Sequence, residues 1–552
     1  MTRILTLLCS LLLVCTSLLY CSSPEEPTEV VSKEAVSSTE VVSKEEFLVE
    51  PLEDGELDAG VKDDLTTPEQ PPTEPPTSEP SQRVENVLPE KAPEQPPEAV
   101  IERKLPSEPP TTSWVKSSLS QGGFLNVEGM TLDQGGNVYV VGSYSEGNVA
   151  LGGTTLTTSR GKSQMFVAKL NNKGEFQWAT SSKGGSREYA MGVGVSSKGV
   201  YVVGSFWETT TLGSNTLSSQ GGTDIFVAAL TLDGKWQWAH RVGSSDNDEG
   251  NGLALDSLGN IYITGEYART VTFGSTQLTS SIHGDGFVAK LDPLGNWNWV
   301  RRYGNPDNFD KSTAILVGKH DDVYVTGMTS SKQSTFGSFT FQRRSDFNGL
   351  FVAKLDTKGN WVWAKVLKDS DTVSSEGKAL AEDQLGNIYV AGTYHDSFTF
   401  GTSTFRSADN SSDFFVAKLT PNGNFVWAQR GGSKDTDQGL GVAVDSGGYV
   451  WVTGSVSAGA MIGRTSFSVE GKDTFTVDVD MFVAKLNSHG DWLWAAALGS
   501  GGNPERGNCI VRGPKGSLFI AGQVVETTDF QGSKLSFKYN VPRMFVWKLQ
   551  AW

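Results

Sequence analysis

Residues 287–291 read Phe-Val-Ala-Lys-Leu. The same string, or a close variant, begins at Phe166, Phe226, Phe351, Phe415, Phe482 and Phe545. Successive starts lie 60, 61, 64, 64, 67 and 63 residues apart. A period of this length, carried by β-branched and aromatic residues, indicates stacked or circularly arranged β modules.

Upstream of each string stands a hairpin pattern. In the third unit it is Asn251-Gly252-Leu253-Ala254-Leu255-Asp256-Ser257-Leu258-Gly259-Asn260-Ile261-Tyr262-Ile263-Thr264-Gly265. Two apolar runs flank a Gly-containing turn, which predicts two antiparallel strands. A connection of about 20 residues follows, with a local motif such as Val271-Thr272-Phe273-Gly274 or Phe398-Thr399-Phe400-Gly401. Downstream of the string comes a tight turn, Asp292-Pro293-Leu294-Gly295-Asn296 or Thr420-Pro421-Asn422-Gly423-Asn424. Early Pro and late Gly suit a type I or II turn. The next run alternates aromatics, as in Trp236-Gln237-Trp238, Trp297-Asn298-Trp299, Trp361-Val362-Trp363 and Trp492-Leu493-Trp494. Period-2 spacing puts both rings on one face of a strand.

Each unit therefore supplies four strands, and no useful length has a helical period. The ends complement each other. The repeat region opens on a lone Trp strand, Ser113-Trp114-Val115-Lys116, and closes on Phe545-Val546-Trp547-Lys548-Leu549 with no Trp strand after it. The expected fold is all-β: a seven-bladed β-propeller of four-stranded antiparallel blades, closed by the N-terminal strand joining the C-terminal blade. Closure would remove edges that otherwise invite aggregation.

Acidic loops precede several hairpins. Gly431-Gly432-Ser433-Lys434-Asp435-Thr436-Asp437-Gln438-Gly439 leads to the hairpin ending at Gly454, and Gly243-Ser244-Ser245-Asp246-Asn247-Asp248-Glu249-Gly250 to the one ending at Gly265. With the Asp-x-x-Gly-Asn turn and the Tyr-x-Thr-Gly strand end, these residues resemble the bacterial SBBP β-propeller repeat family. The resemblance covers residues 113–552 and weakens in the first and last units, where Gln121-Gly122-Gly123-Phe124 lacks the acids and Gly513-Pro514-Lys515-Gly516 replaces the Asp turn. It implies an exported propeller and supplies no catalytic residue.

The remaining chain is of another kind. Arg3 followed by the apolar run Ile4–Tyr20 reads as a signal segment over residues 1–20. Leu18-Leu19-Tyr20-Cys21 resembles a bacterial lipobox, with Leu18 in place and Tyr20 where a small residue is usual. Cys21 is thus the expected lipidation site, with an uncleaved anchor or ordinary secretion as alternatives. Residues 21–112 form an acidic linker: positions 22–112 carry a net charge of −16 and 16 of the 22 prolines. Such composition cannot bury enough apolar surface to offset the entropy of ordering. The whole chain is −17. Setting aside the linker and Arg3 leaves −2 for residues 113–552, so the repeat region has no basic stripe for nucleic acid. The expected location is the cell envelope, as an outer-membrane lipoprotein or at the cell surface, with a membrane attachment through lipid.

Candidate chemistry is sparse. Asp246, Asp248 and Glu249, or Asp435 and Asp437, offer oxygens that Ca2+ could use, but without the length or bidentate Glu of an EF-hand loop. Asp and Gly are also ordinary turn formers, and that reading is preferred. No other cofactor is expected. Asp133, Asp256, Asp383 and Asp445 are read as caps of their own turns. The lysines of Phe-Val-Ala-Lys-Leu are read as exposed strand residues, and the repeated tryptophans as packing between sheets. Trp207, outside the Trp-strand register, is the ring to consider for a ligand. Cys509 reads as a small buried hydrophobe. The five histidines share no context.

The function expected is a monomeric binding scaffold for a protein or glycan. The alternatives are a polysaccharide-active hydrolase or lyase, and a purely structural envelope protein. An enzyme would need non-repeated acids or histidines around the central opening. Arg301-Arg302-Tyr303 and Arg343-Arg344 are the first residues to inspect.

Overall fold

A computed structural model describes residues 109–550, apart from 122, 306–307, 331, 343–347, 368–373, 410, 468–478, 500–503, 526 and 538–540. The signal segment, Cys21, nearly all of the acidic linker and Arg343-Arg344 lie outside the described residues.

The third unit shows the plan. Its strands are Glu249–Leu255, Ile261–Tyr267, Asp285–Leu291 and Trp297–Tyr303, hydrogen-bonded in chain order as an antiparallel meander. The same pattern starts from first strands Phe124–Leu132, Arg187–Ser196, Asp310–Val317, Ser375–Glu382, Gln438–Val444 and Arg506–Arg512. In each first strand the register breaks once, at Gly250/Gly252 here and at Gly439/Gly441 or Gly507/Cys509 elsewhere. Such a bulge bends and twists the strand.

The last sheet takes its fourth strand from the other end of the chain. Thr111–Ser117 pairs antiparallel with Arg543–Gln550, Val115 opposite Trp547 and Ser117 opposite Phe545. Trp547 Nε1 donates to Thr112 Oγ1 at 3.0 Å, and Thr112 Oγ1 donates to the Phe530 carbonyl at 2.8 Å. Among the described residues no hydrogen-bonded ladder closes on itself. The sheets meet mainly through side chains, with short backbone pairings at Ser163/Arg187 and at 431–432/461–462.

That packing explains the continuous apolar string. Phe287, Val288, Ala289 and Leu291 are all fully buried, because the third strand is covered on both faces by neighbouring sheets. One core holds Val203 and Val227 with Ile263 and Phe287; another holds Val140 and Phe166 with Phe519 and Val546. Cores thus sit between consecutive sheets, and the first and last sheets share one.

Burial overturns the expectation that the lysines of this string are exposed. Lys290 lies with its ammonium 4.7 Å from the Tyr262 ring centre and 3.2 Å from Asp256. Lys354 sits likewise over Tyr324 at 5.3 Å and 2.7 Å from Asp322. The apolar stem packs inward and the ammonium reaches the acid of the nearby turn. Alternation along the strand did not predict this, because both faces of the strand are inside.

The turn acids behave as read. Asp256 Oδ1 accepts from the Leu258 and Asn260 amides at 3.0 and 2.8 Å, and Asp383 and Asp445 repeat the arrangement.

The tryptophans join one sheet to the next. Trp178 Nε1 donates to Leu232 O, Trp299 to Thr357 O, Trp363 to Pro421 O and Trp427 to Ser488 O, at 3.0–3.2 Å. Trp114, in the last sheet, donates to Asn172 O of the first unit at 3.2 Å in the same manner. Each ring also lies flat against the glycine of that turn. At Gly359 the backbone has φ +80°, and an added Cβ would stand 2.8 Å from Trp299. Glycine is required there twice over, by backbone and by space.

In every unit but the first, the connection after the hairpin holds two further short strands; in the first, the strands Val138–Leu151 and Thr154–Leu170 themselves run on to form the ribbon. Thr270–Phe273 pairs with Thr276–Thr279 around Gly274, whose missing Cβ admits Trp297. The Thr-Phe-Gly motif was the sequence trace of this small ribbon.

Candidate functional site at the ends of the first strands

The antiparallel plan sets two ends for every sheet. Short turns, such as 256–260 and 292–296, lie at one end. The long connections, between second and third strands and between fourth and first, lie at the other. Asp246, Asp248, Asp435, Asp437 and Trp207 all fall at the long-connection end.

Asp248 and Asp437 are fully buried. Asp248 accepts from the Ser244 amide at 2.6 Å and the Ala268 amide at 2.9 Å. Asp437 accepts from the Ser433 amide at 2.6 Å, the Ser433 hydroxyl at 2.8 Å and the Ser457 amide at 2.7 Å. Burial pushes the Asp248 carboxyl up to about 7 and that of Asp437 up to about 6, against those amide donors. Asp246 and Asp435 are half-exposed; Asp246 pairs with Arg269, and the Asp435 amide donates to Ser433 Oγ at 3.0 Å. The buried pair therefore organises its own loops. Among the described residues no group of three or more His, Cys, Asp or Glu side chains is placed to hold a metal ion.

Trp207 is 37% exposed, with the Arg187 guanidinium 5.5 Å from its ring centre. It ends a second strand and faces the long connections. Burial pushes the Cys509 thiol up to about 12, which leaves it unreactive at neutral pH. His240 is sandwiched between Trp238 and Trp297, its pKa lowered by burial. Arg301, Arg302 and Tyr303 do not converge. Arg302 faces Asp285 at 3.7 Å, Tyr303 is buried against Ser312, and Arg301 reaches the turn at Gly359.

A different set does converge. The residue two positions ahead of the one skipped in each register break varies among the units: Asn126, Tyr189, Glu249, Lys311, Glu376, Gln438 and Arg506. The residue within each break varies too and includes Glu128 and Lys378. Glu266 stands opposite Glu249 across the hairpin, at a position occupied by Ser205 and Ser455 in other units. Lys378 Nζ lies 2.7 Å from Glu376 Oε2, and Lys311 Nζ lies 4.0 Å from Oε1.

Their fields overlap. Burial, then the Glu249 charge, holds the Glu266 carboxyl well above the usual range. Burial pulls the Lys311 ammonium down, but Glu266, Glu376 and Glu249 outweigh it and raise its pKa. Burial pushes Glu128 up to about 7, with Arg506 opposing. First strands far apart in sequence thus bring acids and bases into one polar group. Glu266 is buried beside Glu249, Lys311 and Glu376, which supply charge of both signs.

Sequence reading named Glu249 only as a loop acid and missed the rest. The available signal was departure from the repeat. Glutamate where units such as the second and sixth have serine, and a position that is acidic, basic or neutral according to the unit, are both visible once the units are aligned.

The SBBP beta-propeller repeat family matches residues 237–266. That segment contains the second tryptophan of a Trp strand, the acidic loop and the hairpin up to Glu266. An uncharacterized WD repeat-containing protein of Acanthamoeba polyphaga mimivirus is 22% identical over 64% of this chain and 31% of its own length. The regulatory protein FlaEY of Caulobacter vibrioides is 23% identical over 53% of this chain and 33% of its own. The chain thus spans about a third of the length of these curated relatives. Among solved structures, quinohemoprotein alcohol dehydrogenase from Comamonas testosteroni aligns with 80% of this chain and 76% of its own, at 12% identity and TM-score 0.40. The Pan2 WD40 domain of Neurospora crassa aligns with 66% and 90%, at 9% identity and TM-score 0.34. Likeness at these scores carries no argument. Repeat geometry and the family match agree, and the chain carries the SBBP beta-propeller repeat.

Proposed function

We propose that residues 113–552 form a seven-bladed β-propeller, closed by its own chain ends, that acts as a binding scaffold of the cell envelope. What supports closure is the repetition at the last seam of contacts made elsewhere. Trp114 reaches Asn172 as Trp178 reaches Leu232, and Asn508 donates to the Val127 carbonyl at 2.6 Å as Asn251 donates to Ser312 at 3.1 Å.

One observation carries the scaffold reading. The repeated acids and tryptophans are consumed in holding loops and sheets, while the varied charged residues gather at the long-connection end. Loops on a rigid frame are where recognition sites commonly lie. In this reading the partner, a protein or glycan, meets Trp207 and the Glu249–Glu376 group, and Cys21 carries the lipid that holds the domain at a membrane through the acidic linker. The relatives' WD-repeat and regulatory descriptions accord with an interaction role.

The test is site-specific photocrosslinking in cells. A crosslinker at Trp207 is expected to give a discrete adduct, and one at Leu294, on the short-turn end, none. The reverse pattern would reject the assigned face. Labelling with a fatty-acid analogue is expected to mark the wild-type chain and not Cys21→Ala; equal labelling would reject the anchor.

A second reading has one observation in its favour. Glu266 lies buried opposite Glu249, which raises its proton affinity, and carboxyl pairs in unequal environments divide acid and base roles in many hydrolases. If the domain cleaves polysaccharide, Glu266→Gln abolishes release of reducing ends. A wild-type protein inactive on a broad panel removes this reading.

A further inference from the structure

The seam between the third and fourth units differs from the others. A cleft of about 470 Å3 opens there at the short-turn end, lined by Asn260, Lys290, Asn298, Trp299, Arg301 and Lys358. That volume lies within the range of small-molecule sites. Three of these side chains are cations and none is an acid.

The cations are unequally neutralised. Lys290 has Asp256 at 3.2 Å. Arg301 donates only to backbone carbonyls: Nε to Gly359 at 2.9 Å, Nη1 to Val300 at 2.9 Å and Nη2 to Lys358 at 3.1 Å. These neutral acceptors fix the guanidinium, 5.4 Å from the Trp299 ring centre, without cancelling its charge. A guanidinium has five N–H donors, so two remain. Lys358 is exposed at the tip of its turn. The acid nearest to it in the chain, Asp356, accepts the Lys358 amide at 2.9 Å and the Asn360 amide at 2.8 Å, and feels the Lys358 charge without pairing with it. No carboxylate lies within ion-pair distance of Arg301 or Lys358 among the described residues.

The repeat provides internal controls. Where this unit has Arg301, others have Thr180, His240, Lys365, Gln429 and Ala496. Where the next turn has Lys358, others have Lys173, Asp233, Leu294, Asn422 and His489. One other seam matches in charge, with Lys548, Lys116 and Lys173, but it has no guanidinium. The Arg301 position varies while the Trp299 clasp beside it repeats, so the clasp does not require the arginine.

We propose that this cleft binds an oxyanion, a phosphate group in the first instance, with Arg301 as the oriented donor, Lys358 as the mobile charge, and Asn260 and Asn298 as further donors. A fixed guanidinium with two free N–H groups suits paired oxyanion oxygens. Two sources share this chemistry, a free phosphate compound and a phospholipid headgroup. Leu258, on the turn that carries Asn260, is 69% exposed and would meet acyl chains in the second case.

The experiment uses the full chain at low ionic strength, where such attraction is least screened. Inorganic phosphate is titrated calorimetrically, and flotation is measured with vesicles of phosphatidylglycerol and of phosphatidylcholine. Saturable phosphate binding, weakened at least fivefold by Lys358→Ala and not by Lys173→Ala, supports the site with a free anion. Flotation with phosphatidylglycerol alone, lost in Lys358→Ala and in Leu258→Asp, supports it with a headgroup. Arg301→Gln is expected to act like Lys358→Ala; should it weaken the seam, the exposed Lys358 decides alone. Absence of binding to both probes, or binding that Lys358→Ala leaves unchanged, overturns the proposal.

Discussion

The tryptophan seams and the first-strand ends are built on the same strands, yet they obey opposite rules. At the seams one solution recurs: a ring flat on a glycine turn, its Nε1 bonded to a carbonyl of that turn. At the first-strand ends the residue changes from one unit to the next, from Tyr189 to Glu249 to Lys311. Packing between equivalent sheets poses the same problem each time and is met with the same residues. Recognition needs asymmetry, and asymmetry within a repeat comes from the places where units disagree.

The largest test of this contrast removes a seam altogether. Deleting residues 111–117 strips the last sheet of its fourth strand and exposes Arg543–Gln550 as an edge. The expected outcome is loss of cooperative unfolding and recovery mainly as aggregate in size-exclusion chromatography. A soluble monomer with an unchanged melting curve would mean that the chain ends do not share a sheet.

Next comes the core string. Phe287→Ala removes a fully buried ring between two sheets. It should cost about 3–5 kcal/mol in denaturant unfolding. Trp299→Phe keeps most of the ring and removes the bond to Thr357, for a loss of about 1 kcal/mol.

The pH dependence follows from the buried acids. Burial lifts Glu128, Asp248 and Asp285 to about 7, and Asp413 and Asp437 to about 6. A carboxyl raised in the fold binds its proton more tightly there than in the unfolded chain. Its stabilisation is complete below the unfolded pKa and is lost as pH rises through the folded value. Asp256 and Asp383 are shifted the other way: burial raises them, but bonds from Asn260 and Asn387 outweigh it, so their contribution is lost in acid. The melting temperature should therefore be higher at pH 5 than at pH 8 by several degrees. A flat profile, or a rise toward pH 8, would show that these acids are solvated.

The smallest effect is expected at the first-strand ends. Lys378→Ala removes a half-buried partner of Glu376 without opening a core and should change stability by under about 0.5 kcal/mol. A loss as large as that of Trp299→Phe would make this group part of the framework.

Much of the framework was legible in the sequence. The spacing of Phe-Val-Ala-Lys-Leu gave the period, the turn residues gave the strands, and the unmatched ends at Trp114 and Phe545 gave their pairing. The turn-capping role of Asp256 was legible because the bonds are local. The exposure of Lys290 was misjudged, since alternation reports which face a residue takes but not whether both faces are covered. The small ribbons such as Thr270–Thr279 escaped because four-residue strands carry little periodicity. The convergence of Glu128, Glu266, Lys311 and Arg506 lay beyond local patterns; it depends on curvature that brings first strands from distant units together. The oxyanion cleft is of the same kind, drawn from two units.

The central claim is that the two ends of the repeat region clasp in one sheet. Amide hydrogen exchange followed by mass spectrometry tests it directly. Protection of the segment around Val115 and Lys116, comparable with that of 543–550, is the predicted result. Exchange around Val115 at the rate of an unprotected amide, with 543–550 still protected, would contradict it.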